Sequence, residues 1–456
     1  MKKYVFLAAA VVLIYFFQSF FLAEGGIGAD SLSYFGIASD LPEIKTNLFP
    51  LGFPVLLKIY ESIFGDYFWA AKMINISFVI IILIFSYVKK FYFKETVLLF
   101  TGKTLFFAFN IVSSEGFFVF LLYFLVYIFH QKLTDKIRSE FFLIFASVLM
   151  ISLFTVRYSG IYIYLGIGVF YISMLLKRKV FSFKGDLFKF LVISGLGILA
   201  YLLFNYSSFG SLTGEHLRGA PAHYQLIYIV RDLLGVTNVI DPFIGLKPSS
   251  NSFASLTFQV AVLVVDLILL FYIIRLYRRK KGVIQREFHY FLWIVAGVYT
   301  VTLFISGYFQ QIEEMNVRML AAANFCLFFS FLIIYYKNLE SDRLIFRTGC
   351  FFLLFLMAYS LKSPADYLKN KAVIAAQMPK FSSKKYLFDD EQHQNKITTY
   401  QIPLLKKSFN YQHTNSQAGF IKQSIAGTIN PQIKWLKYDT IADKSTVLYT
   451  SQLILK

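Results

Sequence analysis

Residues 24–65 read EGGIGADSLSYFGIASDLPEIKTNLFPLGFPVLLKIYESIFG. This stretch follows the first apolar run and is too polar, and too interrupted by Gly and Pro, to cross a bilayer. Its pattern predicts two short helices. One covers Ser31–Ser39, with Asp30 placed to cap it. The other covers Phe53–Phe64, with Lys58, Glu61 and Ser62 on one face and Val55, Leu56, Ile59, Tyr60 and Ile63 around the other. Pro50, Gly52 and Pro54 punctuate the start of the second helix, whose two-sided character fits a position in the headgroup plane rather than across it.

The surroundings of this loop are hydrocarbon-like. The chain has 456 residues, of which 57% are hydrophobic, 19% aromatic and only 16% charged, which excludes an ordinary soluble domain. Apolar runs lie near 4–23, 68–88, 95–111, 115–131, 140–156, 158–176, 187–206, 254–276, 288–308, 318–336 and 344–361. They predict an all-α polytopic membrane protein with about eleven transmembrane helices. The run 4–23 follows Lys2 and Lys3. It is longer than most signal-peptide cores and lacks a small-residue cleavage pattern, so a retained first helix is expected.

The formal charge of +19 raises the question of nucleic acid, and the placement of the charge answers it. With the N-terminus on the cytoplasmic side, every second connection is short and basic: Lys89, Lys90 and Lys94; Lys132, Lys136 and Arg138; Lys177–Lys179; Arg278–Lys281; Lys337, Arg343 and Arg347. That is the positive-inside pattern of a cytoplasmic-membrane protein, so nucleic acid is not an expected partner. Loops 24–67 and 207–253 then fall outside. So does the polar tail 363–456, where alternation at 398–405 and 446–455 predicts strands of a small extracytoplasmic α/β appendage. Cys326 and Cys350 both lie in apolar runs, which gives no disulfide framework and no metal-ligand spacing.

This topology brings several ionisable groups to one face: Asp30, Glu115, Arg157 and Arg318, with Lys72 and Asn75 three residues apart on one helix face. Tyr34, Tyr158, Asn316, His216 and Arg218 fall on the same side. Each also has an ordinary structural reading. Asp30 suits a cap, Glu115 suits helix-dipole compensation behind Ser114, and the cations suit snorkelling anchors. Convergence is what favours chemistry: charges kept beside a bilayer tend to line a cavity and face one another. Cations suit a phosphate, and a carboxylate suits taking a proton from a hydroxyl. Lys103 falls mid-span in the third run, which reads either as a re-entrant segment or as a lysine paired inside the bundle.

The order of these pieces resembles the GT-C superfamily of polytopic glycosyltransferases, in its protein-mannosyltransferase-like and aminoarabinose-transferase-like branch. The matching segments are Gly28–Tyr34, Phe49–Pro54, Ile59–Gly65, Lys72–Asn75, Ser114–Phe117, Thr155–Gly160, Gly210–Gly214 with Arg218, and Asn316–Leu320. The resemblance spans residues 4–361 and leaves the tail aside. It implies inverting transfer of a sugar from a polyprenyl-phosphate donor to an acceptor hydroxyl of protein, lipid or glycan. Asp30 would be the general base and Glu115 a second catalytic carboxylate. Lys72, Arg157 and Arg318 would bind the donor phosphate, and Tyr34, Asn75, Tyr158, His216, Arg218 and Asn316 would line the substrates. Two features depart from the family pattern. The first loop has a single Asp rather than an acidic pair, so a divalent metal bridged by two first-loop carboxylates is not expected. Lys72 stands where Arg is frequent and would meet phosphate as a point charge. Two other readings stay open: a flippase for a lipid-linked sugar, which Lys103 favours, and an O-antigen-ligase- or polymerase-like enzyme centred on His216, Arg218, His223 and Arg231.

Overall fold

The computed structural model of the chain describes residues 1–21, 26, 29–44, 46–65, 67–176, 183–215, 226–243, 253–279, 285–309, 315–338 and 341–360, together with short strands between Lys385 and Leu455. The described part up to residue 360 is helical. In order it contains α1 (Lys2–Phe21), α2 (Ala29–Asp40), α3 (Gly52–Phe64), α4 (Tyr67–Val88), α5 (Phe93–Leu99), α6 (Lys103–Asn110), α7 (Glu115–Leu133) and α8 (Ser139–Val156). There follow α9 (Gly160–Leu176), α10 (Lys184–Phe209), α11 (Leu226–Gly235), a 3-10 turn (Val236–Val239), α12 (Phe253–Arg279), α13 (Arg286–Ser306), α14 (Ala321–Asn338) and α15 (Arg343–Ser360).

Seven of these helices are long and apolar enough to cross a membrane: α1, α4, α7, α8, α10, α12 and α13. Helix α9 is apolar but shorter, and α14 and α15 are not among the seven. One expectation is corrected. The run 95–111 is not a single helix but two, α5 and α6. The Thr101 N–H and hydroxyl both turn back to the Leu98 carbonyl, at 3.1 and 2.8 Å, which closes α5. Gly102 then takes an extended conformation and starts α6 anew. Almost all side chains of both pieces are buried, which is where a break in a bilayer-depth helix is tolerated.

Contacts between helix ends define the two ends of the bundle. At one end the start of α1 meets the start of α15 and the end of α14, through Lys3 with Asp342 (2.6 Å) and Tyr4 with Asp342 and Tyr336. At the same end Lys132, closing α7, pairs with Asp186 in α10 at 2.7 Å. The opposite end collects the starts of α4, α7, α9 and α14 and the ends of α8, α10 and α13, and there the first loop is seated. Exposed apolar residues such as Val264, Ile268 and Phe271 on α12 give the bundle an oily perimeter, as lipid contact requires.

The two short helices of the first loop form as their patterning predicts, with one adjustment. Because α2 begins at Ala29, Asp30 sits in its first turn instead of capping it. Helix α3 buries Phe53 and Leu57 and leaves Val55, Ile59 and Ile63 exposed along the other side. Helix α11 lies in the second long loop, where no element was expected. The appendage expected over 363–456 lies outside the described residues, apart from the short strands, whose side chains are likewise outside.

Candidate active site

Glu115 opens α7 and is the hub of the site. Its Oε1 lies 2.8 Å from Arg157 Nη1 and 3.2 Å from Arg318 Nε. Arg157 stands in extended backbone between α8 and α9, and Arg318 in the turns leading into α14. Arg318 Nη2 reaches on to Asp30 Oδ2 at 3.6 Å. Four charged groups from four separate segments therefore form one chain: Asp30, Arg318, Glu115, Arg157.

Exposure is graded along that chain. The Glu115 side chain is 6% exposed, Arg318 17%, Arg157 22% and Asp30 42%. Glu115 is consequently locked, while Asp30 forms the more open edge, 3.6 Å from the Arg318 guanidinium. Burial by itself disfavours the Arg157 cation, but facing Glu115 more than reverses this, and the guanidinium is held firmly protonated. Two carboxylates and two guanidiniums cancel in formal charge, so the buried part of the site is compensated within itself.

Supporting contacts fix the positions. Ser114 occupies the cap position of α7 without capping it. Its hydroxyl instead accepts from Arg157 Nη1 at 3.1 Å and bonds the Tyr34 hydroxyl at 2.8 Å. Tyr34 is clamped between Phe49 and Phe53, with ring centroids 4.6 and 5.1 Å away. Next to Asp30, Ser31 donates to the Val112 carbonyl. Behind Arg157, Tyr299 donates to Ser159 Oγ and the Met319 carbonyl, both at 3.3 Å. Gly116 makes the close approach possible, since a Cβ there would stand 2.8 Å from Asn75 Oδ1 and 2.9 Å from the Ala108 carbonyl. Gly26 does the same for the loop: at φ +74° its missing Cβ would be 2.8 Å from the Asn110 carbonyl.

The structure thus brings together Asp30, Glu115, Arg157 and Arg318, with Tyr34 joined through Ser114. The other sequence candidates do different work. Lys72 is fully buried and donates to the Asn110 carbonyl, and Asn75 donates to the Ile111 carbonyl at 3.3 Å. Both hold the backbone just ahead of Ser114. The Tyr158 hydroxyl donates to the Asn47 carbonyl at 2.7 Å and accepts from Asn205 at 3.0 Å, which pins the first loop to α10. Asn316 accepts from the Met319 N–H at 3.1 Å and shapes the turn that carries Arg318. His216 and Arg218 lie outside the described residues.

Sequence reading missed Tyr299 and the double role of Ser114. A tyrosine late in an apolar helix, one of 31 in the chain, carries no positional signal. Among the described residues, no three His, Cys, Asp or Glu side chains gather as metal ligands. Compared with protein-family models, curated proteins and solved structures, the sequence and fold match none.

Proposed function

We propose that the protein is a membrane glycosyltransferase that moves a sugar from a polyprenyl-phosphate donor to an acceptor hydroxyl on the extracytoplasmic face. The observation that carries this reading is the open Asp30 carboxylate beside the locked Arg318–Glu115–Arg157 cluster. In the reaction, the acceptor oxygen attacks the anomeric carbon as its proton passes to Asp30. The bond from that carbon to the phosphate oxygen breaks with inversion, and polyprenyl phosphate leaves. Arg318 and Arg157 neutralise the charge that grows on the departing phosphate. Glu115 acts on the two guanidiniums rather than on substrate, so in this mechanism it is a positioning residue. Lys72 is set aside as a phosphate ligand because its ammonium is spent on a carbonyl.

In the finer reading of the fold, α5 and α6 together make one broken pass among eleven. The N-terminus is cytoplasmic, the Asp30 end is outside the cytoplasmic membrane, and the tail 363–456 is an exported appendage. Helix α3, with its exposed stripe of Val55, Ile59 and Ile63, lies at the lipid surface beside the site, where a lipid-linked donor arrives.

The test is to supply membranes containing the protein, and matched membranes lacking it, with labelled polyprenyl-phosphate sugars. Label is expected to pass to endogenous acceptors only when the protein is present. Label that instead crosses sealed vesicles still attached to its lipid would contradict transfer and favour a flippase.

A further inference from the structure

A second polar centre lies at mid-depth, away from the helix ends that build the site above. Within its crossing segment Thr257–Arg279, helix α12 carries Gln259 and Asp266, seven residues apart and so on one face, and Arg275 nine residues further on towards its basic end. Asp266 stands nine residues into that segment, about 13 Å along the axis, which is close to the midplane of a hydrocarbon core about 30 Å thick. It is 0% exposed, and neither carboxylate oxygen accepts a hydrogen bond among the described residues. An ionised carboxylate held this way carries a heavy desolvation penalty, which a bound proton removes.

What faces Asp266 is itself unusual. After the 3-10 turn the chain dips into the bundle, where the Pro242 carbonyl accepts the Thr104 N–H at 3.3 Å, at the start of α6 and beside the break in the α5–α6 pass. Asp241, one residue earlier, is buried, and its Oδ1 accepts the Phe243 N–H at 2.7 Å. The charge of Asp241 reaches both Asp266 and Lys103. An interrupted pass, a re-entrant turn and a buried carboxylate thus meet at one depth, the arrangement by which membrane proteins build ion sites from helix ends and irregular backbone.

The other ionisable groups on the elements packed around α12 are accounted for elsewhere. On α11, Asp232 accepts the Met315 N–H and Arg231 adjoins it. Helix α14 carries Cys326 and, at the far end of the bundle, Tyr335, Tyr336 and Lys337. There too His289 of α13 meets Tyr277 of α12. The charge of Asp241 acts on Lys103, and among the described residues neither Asp266 oxygen has a hydrogen-bonding partner.

We infer that Asp266 is the proton-binding group of an intramembrane site completed by Asp241 and Lys103. In the occupied form the proton sits on an Asp266 oxygen. Its release leaves the Asp266 and Asp241 carboxylates both charged and repelling one another. The inference does not depend on the transfer reaction.

The test uses the full chain in lipid nanodiscs and dicyclohexylcarbodiimide, which reacts with protonated carboxyls in apolar surroundings, with adducts located by peptide mass spectrometry. The expected result is an adduct on Asp266 of the unaltered protein, declining as pH is raised, and absent in Asp266→Asn. Asp241→Asn removes the negative neighbour, so the midpoint of labelling should move to lower pH by about one unit, roughly tenfold in proton affinity. No adduct on Asp266 at any pH, or an extent independent of pH, overturns the inference. Suppression of labelling by sodium at constant ionic strength overturns the proton assignment in favour of a metal cation.

Discussion

At the scale of single residues, Glu115 and Arg157 separate structure from chemistry. One oxygen of Glu115 serves both guanidiniums. Glu115→Gln removes the carboxylate that Arg157 and Arg318 share, leaving Arg318 its longer contact with Asp30, and costs about 3–5 kcal/mol by analogy with other broken buried pairs. Thermal unfolding in detergent should report a large loss of stability, and an unchanged transition would mean that the pairs are not formed. Arg157→Lys keeps the charge but loses the planar group whose Nη1 meets both Glu115 and Ser114. Titration of both substrates should show the donor KM rising more than the acceptor KM. A rise confined to the acceptor would reassign Arg157. These four charges were legible in the sequence because basic connections sort each helix end to a side. Their partners were not, since residue type and order do not reveal that Ser114 faces Arg157 instead of capping its helix, or that Tyr158 turns away to Asn47.

At the scale of elements, the site depends on how closely α7 approaches α4 and α6 at Gly116. Gly116→Ala forces a methyl to within 3 Å of Asn75 Oδ1 and the Ala108 carbonyl. The resulting overpacking should cost about 1–3 kcal/mol, read as a lower unfolding temperature, with transfer falling as Glu115 shifts. Helix α3 provides a second check. With Cys326 and Cys350 replaced by Ser, a fluorophore on Ile63→Cys should be quenched by lipids carrying quencher near the headgroup more than near the chain ends. The opposite order would contradict an interfacial helix. The polar set Lys58, Glu61 and Ser62 of α3 is plain in the sequence, whereas the side on which Phe53 and Leu57 pack inward, leaving Ile59 and Ile63 exposed, is not. The break between α5 and α6 falls at the polar tetrad Thr101-Gly102-Lys103-Thr104, a signal in the sequence that the apolar runs on either side outweigh. Asp266 is the single acidic residue of the run 254–276, and the sequence gives no sign of what faces it.

At the scale of the whole molecule, the account rests on one end of the bundle facing away from the cytoplasm. In the same cysteine-free background, Glu43→Cys in the first loop should react with an impermeant maleimide added to intact cells. Lys136→Cys, in the connection between α7 and α8, should react only after permeabilisation. Exchanged accessibilities would invert the topology and place the site inside. Charge placement in the sequence is the ground for this orientation, whereas the helical content of the second long loop, where α11 forms, gives no such signal there. The central claim is that Asp30 takes the acceptor proton. The direct measurement compares transfer rate at saturating donor with donor binding, in the same membranes, for the unaltered chain and Asp30→Asn. The account predicts a rate at least about 100-fold lower with donor affinity nearly unchanged; an undiminished rate in Asp30→Asn would contradict it.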